Sequence, residues 1–149
     1  MSDPELKDRI AIMGMDNFYK GLPKGTNPND YDFDHPKSLD MESLKTRLEE
    51  LITLGEVSYS IYDFKTHGPS GQTETIKMKD IFIFEGILSM YEEPIRDLFD
   101  VKIFVHCDPD ICLAWRIIRD INERGRDVNE VLKWYNRFVK IDFEKYVQP

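Results

Sequence analysis

Cysteine and histidine are both scarce in this chain. Its 149 residues hold two cysteines, Cys107 and Cys112, in one short segment, and three scattered histidines. Two thiols shared between a strand end and the helix after it do not suit a disulfide and read as reduced, partly buried side chains. The histidines offer no zinc-ligand spacing. No apolar run approaches the length of a membrane span, so no membrane partner is expected. The N-terminal MSDPELKDRI is polar and acidic, unlike a signal or transit peptide, and the expected compartment is the cytoplasm. No segment is repeated or rich in Pro, Gly or Ser for long, which excludes a disordered tail. Basic residues are outnumbered, 20 against 28 acidic, for a net charge of −8. That balance argues against a nucleic-acid polymer or an anionic membrane as partner. It leaves room for a small anion held by a local arginine cluster.

What is present reads as one globular domain spanning residues 1–149. Hydrophobic residues make up 41% and charged residues 32%, enough apolar surface for a core. Three short continuous apolar runs, Ile10–Met13, Ile81–Phe84 and Val101–Val105, suit strands covered on both faces. They predict strands near 9–13, 81–85 and 101–105 in one parallel sheet. Helical stripes predict helices near 40–54, 109–122 and 128–147. Leu44, Leu48, Leu51 and Ile52 mark the first, with Asp40 as N-cap and Gly55 as stop. Ile111, Ala114, Ile118 and Ile121 mark the second, opened by Asp108-Pro109. Leu132, Tyr135, Val139, Phe143 and Tyr146 mark the third, with Asp127 and Glu130 as a capping box. Val57–Ile61 and Thr73–Met78 read as a hairpin projecting from the sheet, with Gly68, Pro69, Ser70 and Gly71 at its turn. Residues 21–36, dense in Gly, Pro, Asn and Asp, read as loop. Strands alternating with helices give an α/β class.

Each predicted core strand ends on or near an acid: Asp16, Glu85 and Asp108. Ligands of open α/β sheets bind outside the carboxyl ends of the strands. Carboxylates there suit a hydrated Mg²⁺ and a base for a hydroxyl nucleophile. They equally suit plain duties, Asp108 and Asp16 as helix caps and Glu85 as a turn residue. Arg116, Arg119, Arg124 and Arg126 lie on or just past the second helix. Arg116 and Arg119 share a face, away from the Ile118–Ile121 stripe. That face suits phosphate or ribose hydroxyls, or is a solvated surface neutralised by Asp120, Glu123 and Asp127.

Six strings in register narrow these alternatives. They are MDNFYK (15–20), FDHP (33–36), YDFKTH (62–67), FEGIL (84–88), RDLFD (96–100) and RDINERGRD (119–127). In order and spacing the chain resembles the uridine/cytidine kinase family. The resemblance implies a P-loop-kinase-like parallel sheet flanked by helices. It also implies uridine or cytidine as ligand, a cytoplasmic enzyme of pyrimidine salvage, and room for a homo-oligomer. Carried over by residue, Asp16 looks like the acid that takes the 5′-hydroxyl proton, with Tyr19 lining the site. Asp34 and Arg116 look like the ribose pair. Tyr62 and His67 resemble readers of the pyrimidine edge, packed by Phe33 and Phe64. Arg119 and Arg124 resemble the phosphate-facing cluster, Arg126 resembles a further substrate contact, and Glu85 resembles the acid near Mg²⁺.

The pattern also departs from the family. No GxxxxGK[ST] occurs, so the backbone cradle, lysine and hydroxyl that hold ATP and Mg²⁺ are missing. The match starts just before the family's second strand and stops before its last. The missing first strand, normally central, would leave a gap between the strands at 81–84 and 101–105. Ser60, Cys112, Trp115 and Trp134 also stand where the family usually has other residues. An incomplete kinase and an inactive nucleoside-binding or regulatory subunit are both compatible with this, with a structural interaction domain as a third class.

Overall fold

A computed structural model describes residues 4–148. The reading of the N-terminal decapeptide rests partly on Met1–Asp3, outside the described residues. The elements run α1 (Pro4–Asp8), β1 (Ile10–Gly14), α2 (Met41–Leu54), β2 (Glu56–Asp63), β3 (Gly68–Lys77) and β4 (Ile81–Glu85), then α3 (Glu93–Arg96), α4 (Pro109–Arg124) and α5 (Val128–Trp134). The helical path continues past α5 to Val147, with wider π turns at Tyr135–Val139 and Phe143–Val147. No helix among the described residues is long and apolar enough to cross a membrane.

Local rules account for most boundaries. The Asp40 carboxylate accepts from the Ser43 amide at 3.1 Å and caps α2. Gly55 ends α2 at φ 77°, a left-handed conformation that glycine adopts without steric cost. Asp127 and Glu130 form the expected capping box of α5. Asp108 occupies the N-cap position of α4 without a side-chain bond to the helix.

β1 and β4 pair in parallel, Ile10 opposite Ile81 through Gly14 opposite Glu85. One face of this pair is covered. Ala11 and Met13 are buried in a cluster with Met15, Leu39, Leu44, Leu48, Leu51, Leu88 and Ile95, against which Phe82 and Phe84 pack. On the opposite face, Ile12, Ile81 and Ile83 stand exposed. β2 and β3 form a separate antiparallel hairpin, packed on the core through Val57, Tyr59 and Ile76.

Three expectations need correction. Residues 101–105 form no strand, and Val101, Ile103 and Val105 are 73%, 75% and 82% exposed. A strand exists only as part of a ladder, and this segment pairs with neither β1 nor β4. Among the described strands, β4 pairs with β1 alone. The hairpin turn lies at residues 64–67 instead of 68–71, because β3 already begins at Gly68. Lastly, the α4 stripe Ile111, Ala114, Ile118, Ile121 faces outward, exposed together with Trp115. The inner face carries Leu113, Arg116, Ile117 and the fully buried Asp120.

Candidate functional site

The covered strand ends lead into a half-open cleft. β1 runs directly into a 3-10 turn, Met15–Phe18, anchored by the buried Met15 and Phe18, and this sets Asp16 at the cleft. The turn fits closely against β4. A Cβ on Gly86 would lie 2.4 Å from the Met15 Cβ, so a larger residue would push the turn away. Asn17 ties the same turn to the hairpin, its Oδ1 accepting from the Tyr62 amide at 3.1 Å.

Tyr19, Phe33 and Asp34 line the cleft from the segment after the turn, and Tyr62, Phe64 and His67 from the end of the hairpin. Arg116, Arg119, Arg124 and Arg126 close it from α4 and the residues just beyond. Glu85 is not among the lining residues; it stands at the end of β4, paired in register with Gly14. Ile87 and Trp134 complete the lining, and the motifs pointed to neither.

His67 has a left-handed backbone, φ 54°, unusual for a residue with a side chain. That turn lays its ring on Phe33, centroids 4.9 Å apart and nearly parallel. Phe33 also meets Trp134 at 5.8 Å, and Arg126 sits 4.5 Å above the Trp134 ring. An aromatic slot therefore lies beside the arginines.

The charges are arranged in pairs and hubs. Arg116 Nη2 lies 3.5 Å from Asp34 Oδ1, both side chains mostly buried. Asp120 is 1% exposed and binds Arg119 at 2.9 Å, Arg124 at 3.4 Å and Arg126 at 2.9 Å. One buried carboxylate thus fixes three guanidinium groups along the cleft wall, with Arg119 still 42% exposed. Spacing offered a partial signal, since Asp120 and Arg124 are four apart on one helix.

Burial raises the Asp16 pKa, and the negative Glu85 adds to it, while Arg124 and Arg119 oppose. Burial also raises Asp34, with Arg116 pulling the other way. Burial and the positive Arg126 and Arg124 lower His67, which is therefore neutral at pH 7. Tyr62 is pushed up to about 12, chiefly by burial.

Asp32 is pushed up to about 6 by burial and by the neighbouring carboxyl of Asp142, itself buried. A carboxyl whose folded pKa is raised stabilises the fold fully below its unfolded value near 3.8, and that contribution is lost as pH rises through about 6. We expect stability to fall by about 1 kcal/mol between pH 4 and 7 from this pair, discounted for partial solvation. Urea melts of the parent and of Asp32→Asn across that range check it: the Asn variant should show a fall smaller by about 1 kcal/mol, the part left belonging to Asp16 and Asp34.

The donor set answers differently for the two groups the resemblance implies. Asp16 lies close enough to Glu85 for that carboxylate to help raise the Asp16 pKa. Two carboxylates fit a Mg²⁺ ion that keeps most of its water, and no larger group of acids or imidazoles converges among the described residues. ATP does not fit: no glycine-rich cradle with its lysine occurs in the 149 residues.

The model of the phosphoribulokinase/uridine kinase family matches residues 4–149. Uridine-cytidine kinase A of Dictyostelium discoideum is 42% identical over 140 residues, 94% of this chain and 28% of that protein. Uridine kinase of Schizosaccharomyces pombe is 43% identical over 143 residues, 93% of this chain and 32% of its own length. The chain thus spans about a third or less of these relatives. In fold it is similar to D-glycerate 3-kinase of Cryptococcus neoformans, with a TM-score of 0.65 at 17% identity over 93% of this chain and 69% of that one. The chain belongs to the phosphoribulokinase/uridine kinase family.

Proposed function

We propose that the cleft is a pyrimidine nucleoside site and that the chain is the acceptor-binding part of a uridine/cytidine kinase. The observation that carries this is the convergence of Asp16, the Asp34–Arg116 pair and the His67–Phe33 stack on one cleft. Asp34 accepts hydrogen bonds from the ribose diol, and Arg116 donates to it. Losing one hydroxyl leaves that buried pair short of a partner, which selects ribose over deoxyribose. Phe33 and Phe64 pack the base, and Tyr62 and neutral His67 read its edge. Asp16 orients the 5′-hydroxyl and receives its proton on a carboxylate oxygen. Its raised pKa makes it a better proton acceptor than an ordinary aspartate. Arg119 and Arg124 supply positive charge beside that hydroxyl. Mg²⁺ held near Asp16 and Glu85 would neutralise phosphate charge.

A second reading is a subunit that binds nucleoside without phosphorylating it. Both readings need the nucleoside site. Calorimetry with uridine, cytidine, deoxyuridine and adenosine tests it. We expect uridine to bind at least about tenfold tighter than deoxyuridine or adenosine. Equal affinities for all four would refute the site.

A further inference from the structure

The loop that brings Phe33 and Asp34 to the cleft is strapped from outside by the helical path after Asp127. Asp30 accepts from Arg137 at 2.6 Å, Phe33 meets Trp134 at 5.8 Å, and His35 Nε2 lies 3.0 Å from Tyr146 Oη. The first of these contacts is an exposed ion pair. In the second, Phe33 is gripped from several sides at once, by Tyr31 and His67 as well as Trp134. The third is the contact nearest Asp34 along the chain, and neither His35 nor Tyr146 lines the cleft.

The direction of the His35–Tyr146 bond follows from its other side. The Lys37 amide donates to His35 Nδ1 at 3.0 Å, so that nitrogen carries a lone pair and no proton. The neutral ring then holds its proton on Nε2, which donates to Tyr146 Oη. One imidazole thus caps the 3-10 turn Pro36–Ser38 and ties it to the C-terminal helical path. Tyr146 is a firm post for this tie. Its ring packs on the apolar cluster and stands edge-on to Tyr91 at 5.6 Å. On the near side, Asp32 Oδ1 accepts from the amides of both Asp34 and His35 at 3.2 Å. Asp34 and His35 therefore form one corner, pinned outside by Tyr146 and meeting Arg116 inside at 3.5 Å.

We propose that Tyr146 is a positioning residue: its hydrogen bond to His35 sets the Asp34 carboxylate where a ribose diol meets it. Tyr146 touches no substrate and acts only through His35. The inference rests on the nucleoside reading above and adds to it a residue outside the cleft that governs ribose selectivity.

The test uses the whole chain and calorimetry with uridine and deoxyuridine. Tyr146→Phe removes the hydroxyl and keeps a ring against Tyr91 and His35. It should weaken uridine about fivefold, the size of one net hydrogen bond, and deoxyuridine by less than about twofold, because deoxyuridine gains least from Asp34. His35→Asn keeps an acceptor for the Lys37 amide and is too short to reach Tyr146. It should show the same selective loss, and adding Tyr146→Phe to it should weaken uridine no further. A merely structural role would lower both nucleosides alike, in either background. Nitrogen-15 spectra of the unmutated chain need no variant to fold. His35 should carry its proton on Nε2, and uridine should slow the exchange of that proton with solvent. Equal losses for the two nucleosides, additive losses in the double variant, or an exchange rate that bound uridine leaves unchanged would overturn the inference and leave the nucleoside site standing. No binding of any nucleoside by the unmutated chain would overturn both.

Discussion

Purified residues 1–149, given uridine, ATP and Mg²⁺, should form uridine monophosphate no faster than the uncatalysed background. Phosphoryl transfer depends on positioning and on charge neutralisation across the phosphates. Asp16 can orient the hydroxyl, and Arg119 and Arg124 bring charge to the cleft. Nothing in the chain supplies the backbone cradle and lysine, so the γ-phosphate has no fixed place. Lost orientation alone removes several kcal/mol of transition-state stabilisation. Fusing a relative's P-loop strand and helix ahead of Met1 should restore turnover. In that fusion Asp16→Asn should lower kcat by about 10³-fold, the scale of a lost general base. Coupled assays for ADP and uridine monophosphate measure both arms. Steady turnover by the unfused chain, abolished by Asp16→Asn, would show that another element holds the donor.

Asp120→Ala should be the most damaging single substitution on α4. The carboxylate is 1% exposed and neutralises Arg119, Arg124 and Arg126. Removing one partner of a buried ionic group costs far more than the group contributes as a pair, because the remaining charges stay desolvated. Here the arginines partly reach solvent, which reduces the penalty to about 2–3 kcal/mol. Uridine affinity should fall with it, since the wall of the cleft loses its register. The exposed pair Arg137–Asp30, at 47% and 59% exposure, is the control. Asp30→Ala should cost under about 0.5 kcal/mol. Urea melts of the two variants decide the point, and similar midpoints would mean that the buried hub carries no structural weight.

Where a rule acts within a few residues, the sequence was readable. Asp40, Gly55 and the Asp127–Glu130 box need only their own helix, and each sits where the spacing put it. Ile10–Met13 and Ile81–Phe84 were legible as strands because each is the other's partner. Val101–Val105 has the same apolar composition and no partner, so composition alone misled. The outward stripe of α4 misled for a related reason. Apolar residues declare that a face wants cover, and only tertiary structure shows whether cover is there. The hairpin turn was displaced because His67 adopts a conformation normally left to glycine, while Gly68 and Gly71 lie inside the strand. The cleft residues were found through ordered motifs. Asp120 looked like a surface counter-charge, since burial is not written in a charged residue's identity. Trp134 carried no motif at all; its place in the cleft lining became visible only in three dimensions.

The inverted face of α4 has a consequence for local opening. The apolar cluster that holds the fold draws its buried members from residues 11–95. α4 adds none of its apolar stripe to that cluster. It meets the rest through Arg116 on Asp34 and Arg124 over Phe64, with Phe33 on Trp134 at the end of the following helix. Those contacts are themselves the walls of the cleft. Few buried apolar contacts mean a low free energy of detachment, so α4 is a separate cooperative unit that unlatches below global unfolding. Detaching it takes apart the binding site. By linkage, a nucleoside bound across the seam must raise the cost of that opening in proportion to the logarithm of its concentration over its Kd. Occupancy and the attachment of the arginine helix are therefore one equilibrium, and slowed amide exchange in residues 109–124 is its signature.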